Sequence, residues 1–159
     1  MNPIQPQAKL PTFHSTKTFG HELGLSCCFR QHGATHSHCS LLHGYAISVA
    51  LEFQATHLDE KNWVVDFGNL KHIKQFLQET FDHKLVVAED DPHLEELTML
   101  AGLGLADVVV LPAVGCEAFA RYVGDKVQAM LVTQYGYRVK LNKCEVREHG
   151  ANSADVTYE

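Results

Sequence analysis

From Gly44 to Gln54 the large apolar residues fall on every second position, Tyr45, Ile47, Val49, Leu51 and Phe53, with small or polar residues between them. A period of two places all five on one side of an extended chain, which predicts a strand with one buried face. Leu23 to Arg30 is β-compatible and is the expected antiparallel partner, leaving Gln31 to Leu42 as a long loop of His, Ser and Gly. The period then changes. After a turn near Asp59 to Asn62 and the segment Trp63 to Phe67, Leu70, Ile73, Leu77 and Phe81 recur at helical spacing, with Phe76 widening the stripe. Asp66 or Asn69 is placed to cap this helix by accepting orphan backbone N–H groups.

A second helix is predicted from Cys116 to Gln134, with Phe119, Val123, Val127, Met130 and Leu131 on one side and Gly136 as its left-handed stop. The last strand runs from Tyr137 to Glu148, and its alternation slips between Leu141 and Val146, which predicts a bulge. Glu89 to Leu111 holds an acidic stretch, a helical turn from Leu94 to Leu100 and the apolar run Val108 to Leu111. The order ββ-α-α-β predicts an α+β domain, an antiparallel sheet with two helices packed on one face. The domain is expected over residues 16–150, with 1–15 a flexible lead and 151–159 a loose tail.

A chain of 159 residues suffices for one domain with a real core. The net charge of −6 leaves no basic surplus for a phosphate backbone, so nucleic acid is not an expected partner. No apolar run reaches the roughly 20 residues that span a bilayer, and the proline-bearing N-terminus is unlike a secretory signal. Five cysteines, odd in number and without a CxxC pair, are expected as reduced thiols in a cytoplasmic protein.

Eleven histidines are many for this length, and His32, His36, His38 and His43 fall within one short stretch beside Cys39. A thiol four residues before an imidazole at a strand mouth suits a nucleophile or base near a metal ligand; a buried small hydrophobe is the plainer alternative. In Asp82-His83 a carboxylate can fix the imidazole's tautomer for acid–base work, or the histidine can simply answer a helix C-terminus. Glu148 can accept two parallel N–H bonds from a 2-amino-4-oxo ring, or stand solvated.

The joint order carries more than any part. Cys39-x-x-Leu42-His43-Gly44, Asp66-Phe67-x-x-Leu70-Lys71, Asp82-His83, Glu117-x-x-Ala120 and Val146-x-Glu148 resemble the family of 6-pyruvoyltetrahydropterin and 6-carboxytetrahydropterin synthases, across about residues 23–149. The resemblance implies the tunnelling fold (T-fold), with subunits in rings, usually hexamers, and sites between them. It implies Cys39, Asp82 and His83 as the proton-transfer set, Glu148 as the pterin anchor, and Gly115 and Cys116 as backbone contacts to the ring. It also implies a zinc ion on three histidines. Only His43 matches; Phe29 and Tyr45 stand at the other two positions, so zinc would need His38, or His36, His32 or His21, in a rearranged site.

The implied activity is conversion of 7,8-dihydroneopterin triphosphate to 6-carboxytetrahydropterin with release of acetaldehyde and triphosphate, as in queuosine biosynthesis. The alternatives are a 6-pyruvoyltetrahydropterin synthase, a dihydroneopterin aldolase-like lyase and a non-catalytic pterin-binding relative. A histidine-rich metal-binding protein is the rival of a different class.

Overall fold

A computed structural model describes residues 10–159. The 13-residue strand β3 (His43–Ala55) is the spine. Two strands share one of its edges end to end: β1 (Phe13–Phe19) pairs from Phe19↔Val49 to Phe13↔Ala55, and β2 (Leu25–Phe29) from Leu25↔Ile47 to Phe29↔His43. A short turn between them closes on Gly24, whose φ of 74° is the left-handed region that glycine enters without a Cβ penalty. The other strands are β4 (Lys84–Ala88), β5 (Asp107–Leu111), β6 (Lys140–His149) and β7 (Asn152–Thr157). The sheet order is β5-β4-β2-β3-β6-β7, with β1 also on β3.

The alternation in β3 does what a half-buried strand requires. Ile47, Val49, Leu51 and Phe53 are fully buried, and they meet α1 (Lys71–Phe81) and α3 (Cys116–Tyr135) through Ile73, Leu77, Phe81, Phe119, Val123, Val127 and Leu131. Each such side chain contributes about 1.5–3 kcal/mol relative to exposure. Gly136 ends α3 at φ 61°, its N–H donating to the Val132 carbonyl. The expected slip in β6 is a bulge at Asn142: Glu52 pairs with Lys143 and Phe53 with Leu141.

The architecture is α+β, as expected, and several parts differ from the sequence reading. The sheet is mixed, because β2–β4 and β4–β5 are parallel. Val108 to Leu111 is the edge strand of that parallel part, with Leu111 buried, Val108 and Val109 partly buried and Val110 exposed. The helical turn at Leu94 is a third helix, α2 (Leu94–Gly102), which buries none of its residues. Phe13–Ser15, assigned to the lead, belong to β1, and residues 1–9 lie outside the described residues. The expected loose tail forms β7, with Tyr158 donating a hydrogen bond to Asp125 on α3 at 2.9 Å. Asp66 caps the short turn ahead of α1, accepting from the Gly68 N–H at 2.8 Å, while α1 itself begins without a side-chain cap. Among the described residues no helix is long and apolar enough to cross a membrane.

Candidate active site

The inward face of the sheet carries apolar side chains until it passes the N-terminus of α3, where it turns chemical. On β3 the buried series from Phe53 to Ile47 continues into Tyr45 and His43. On β2 it runs Leu25, Cys27, Phe29, and the register sets Cys27 opposite Tyr45 and Phe29 opposite His43. On β6 it runs Cys144, Val146, Glu148. Cys116 closes the mouth from the first turn of α3. Alternation directs Cys27, Phe29, His43 and Tyr45 to one end of one face, and Glu148 joins them from the end of β6.

Glu148 sits at a second irregularity. β7 pairs Ser153 with Arg147 and Asn152 with His149, so Glu148 is the extra residue of a bulge. Bulges re-aim a side chain at the end of a ladder, and they cluster at functional sites. The surrounding groups respond to its charge. Burial, then the charges of Glu148 and Glu117, push the Cys116 thiol up to about 12. Burial, then Cys28, Cys116 and Glu148, does the same to Cys27. Burial, with Glu148, Cys39 and Cys116 behind it, raises the Tyr45 phenol. Cys27 and Cys116 are thus protonated near neutral pH and are poor nucleophiles.

Gly115 precedes α3 at φ 109°, ψ 164°, a conformation essentially confined to glycine. A Cβ there would stand 2.6 Å from the amide nitrogen of Gln31. The place beside its Cα is thus taken by the Gln31 side chain, which with His32, Asp90 and Val114 lines a recess of about 430 Å3.

Cys39 lies in the loop between β2 and β3, in a short turn from His38 to Ser40. Three ties hold it. Its N–H donates to the Ser37 hydroxyl at 3.2 Å, its carbonyl accepts from the Gln31 N–H at 2.8 Å, and Arg30 donates to the next carbonyl, Ser40, at 3.3 Å. Arg30 is fixed in turn by two 2.8 Å bonds to the buried Asp91. Those bonds hold the Asp91 carboxyl at about 2, below the usual carboxylate range.

Asp82 and His83 form the expected couple, Nδ1 to Oδ1 at 2.6 Å, where α1 ends and β4 begins. His83 has φ 56°, uncommon for any residue with a Cβ, and its side chain is 87% exposed. It borders a recess of about 390 Å3 with Ser26, Cys28, Gly44, Leu100 and Leu105. Ser26, Cys28 and Gly44 alternate with Cys27, Phe29 and Tyr45, so this recess opens on the opposite face from Glu148. Within one chain the structure therefore gathers Glu148, Cys116 and the Gly115 backbone near Tyr45, with Cys39 close enough for its charge to act on the phenol. It does not bring in His83, and no hydrogen bond joins Cys39 to His83 among the described residues.

The three positions matched to zinc ligands are neighbours, but carbon fills them. Phe29 is fully buried, with its ring centroid 5.1 Å from His43, 6.3 Å from Tyr45 and 5.1 Å edge-on to Phe119. His43 donates from Nδ1 to the Leu41 carbonyl at 2.7 Å, leaving Nε2 as a lone-pair donor. His38 instead lines a shallow recess with Thr35, His36 and Leu41. Among the described residues no three His, Cys, Asp or Glu side chains converge as a metal would need. The expected zinc on His43 and His38 thus lacks a donor set in this chain.

Sequence reading missed Tyr45 as anything but a lost ligand, and missed Cys27 and Gln31 entirely. Alternation put Cys27 on the inward face, but only the cross-strand register sets it against Tyr45.

No curated protein matches the sequence. Solved structures match along nearly the whole chain: an uncharacterized protein of Wolinella succinogenes at 20% identity and TM-score 0.77, covering 94% of this chain and 99% of that one. The 6-pyruvoyl tetrahydropterin synthase of Plasmodium falciparum matches at 16% identity and TM-score 0.66, over 91% and 96% of the two chains. That of Caenorhabditis elegans matches at 17% and 0.59, over 94% and 96%. At such identities the likeness shows the fold. A family model described as 6-pyruvoyl tetrahydropterin synthase matches residues 18–159, and on that span the chain belongs to the 6-pyruvoyl tetrahydropterin synthase family.

Proposed function

We propose that this chain is a lyase acting on the side chain of a reduced pterin, with 7,8-dihydroneopterin triphosphate as substrate. The observation that carries the reading is Glu148, aimed by a bulge into a mouth walled by Tyr45, Cys27 and Cys116. A carboxylate there accepts the parallel N–H donors of a 2-amino-4-oxo ring, and such charge-assisted pairs fix orientation as well as energy. Ring capture at one end leaves the side chain to reach Cys39, and holding it there supplies much of the rate.

Cys39 is assigned the side-chain proton transfers, and His83, oriented by Asp82, the complementary ones. Because His83 faces away from Glu148 in its own chain, the His83 that serves Cys39 belongs to a neighbouring subunit of a homo-oligomer, for which a hexameric ring is the expected form. The specific reaction proposed is 6-carboxytetrahydropterin formation. Proton shifts along the side chain expel triphosphate. A water molecule then adds to the carbonyl next to the ring, and cleavage of the adjoining carbon–carbon bond leaves the carboxyl on the pterin and, after protonation of the departing carbon, releases acetaldehyde. A 6-pyruvoyltetrahydropterin synthase, which stops after triphosphate loss, uses the same groups.

Incubation with 7,8-dihydroneopterin triphosphate and mass spectrometry of the products separates these outcomes. Acetaldehyde with 6-carboxytetrahydropterin is the expected result, the 6-pyruvoyl product supports the sister activity, and unchanged substrate contradicts both. Cys39→Ala is expected to abolish turnover while pterin affinity stays within about twofold, since the thiol's task arises only in the reaction. Full activity in that variant would remove Cys39 from the mechanism.

A further inference from the structure

Resting on the pterin reading, we propose that the ligand's side chain is received at the β2–β3 mouth without a metal ion, and that the Tyr45 hydroxyl is the group that binds it. The argument begins with what zinc requires: lone-pair donors about 2.0–2.1 Å from one point, in tetrahedral array. Of the three side chains that meet here, Phe29 has no lone pair and is locked in the core between Phe119 and His43. The ring separations of 5.1 to 6.3 Å are those of aromatic packing, with His43 and Tyr45 edge to face at 88°.

What remains at the mouth is a directed phenol. Tyr45 shares a face with His43, stands opposite Cys27, and has its ring 5.8 Å from His149. Those contacts hold the ring of this partly buried residue, while its hydroxyl makes no hydrogen bond among the described residues. It is therefore an available donor between the ring anchor Glu148 and the loop that carries Cys39. A neutral donor in this place selects ligands with a hydroxyl or carbonyl on the side chain. It adds one hydrogen bond where an ion would add Lewis acidity.

The test combines metal analysis with two ligands. Wild-type protein incubated with zinc and desalted is expected to retain less than about a tenth of an equivalent, because too few donors meet. Its affinity for 7,8-dihydroneopterin is expected to be indifferent to a strong chelator. Stoichiometric zinc, or binding abolished by chelation, overturns the metal-free site. Tyr45→Phe is expected to weaken 7,8-dihydroneopterin about tenfold, the worth of one neutral hydrogen bond, and to leave unsubstituted pterin unaffected. Equal losses for both ligands, or none for either, overturn the role of Tyr45. Phe29→His with Tyr45→His is expected to gain close to one zinc; a folded double variant that stays metal-free contradicts the assignment of exclusion to these two side chains. Should the double variant not fold, the wild-type metal content and Tyr45→Phe still decide. A wild type that binds neither pterin defeats the functional reading itself, while its zinc content still answers the metal question.

Discussion

The five thiols of this chain sit in unlike surroundings, and their chemistry should differ accordingly. Cys27, Cys116 and Cys144 are buried, with burial the first cause that pushes each up to about 12. Burial also raises Cys28. Cys39 is partly exposed on a loop held by Ser37 and Gln31. Alkylation of the native protein at neutral pH followed by peptide mapping should therefore label Cys39 first and spare Cys27, Cys116 and Cys144. Labelling of Cys116 ahead of Cys39 would contradict that order. Cys39 and Glu148 were legible as residues because their types and spacings match a family pattern. Of the wall around Glu148 only Cys116 was named from that pattern; Tyr45 and Cys27 meet it only through strand register.

At the scale of elements, close approach of β2 and β3 depends on Gly44. A Cβ there would lie 2.8 Å from the backbone carbonyl oxygen of Cys27, which cannot rotate aside as a side chain end can. Gly44→Ala is expected to cost about 1–3 kcal/mol by forcing the strands apart, lowering Tm by several degrees. An unchanged Tm would show that the pair has slack. The elements that were legible, β3, α1 and α3, are those whose apolar face has a clean period. β1 was missed because its sequence FHSTKTF buries only Phe19 and is held by pairing along β3. β7 was assigned to a tail although Ala154, Val156 and Tyr158 alternate towards α3 and β6. Parallel pairing of β4 and β5 has no local signature: β4, buried from Leu85 to Ala88, and the edge strand β5 both read as plain apolar runs.

For the whole molecule, the tie between Arg30 and Asp91 joins the loop that carries Cys39 to the β4–α2 connection. Asp91 titrates at about 2 when folded, against 3.8 unperturbed, so the folded state favours its ionised form. Its contribution, about 2 kcal/mol, is complete above the unfolded value and is lost as pH falls from about 4 towards 2. Asp91→Asn should lower Tm near pH 7 and flatten the acid limb of stability between those pH values. Equal slopes for variant and wild type would refute the tie's energetic role. The opposed placement of His83 and Glu148 has the larger consequence: under the proposed assignment of roles, a complete site requires association. The family resemblance already implied sites between subunits; residue order alone does not show it, because both groups occupy family positions whichever face they point to.

The central claim is that Glu148 reads the 2-amino edge of a pterin ring, and competition between pterin and its 2-oxo analogue lumazine tests it most directly. Titration calorimetry on wild type and Glu148→Gln should show wild type preferring pterin by about 10- to 100-fold, in line with a hydrogen bond to a charged group, and the variant losing that preference. Equal affinity of the wild type for both rings, or a preference that survives in Glu148→Gln, would contradict the account.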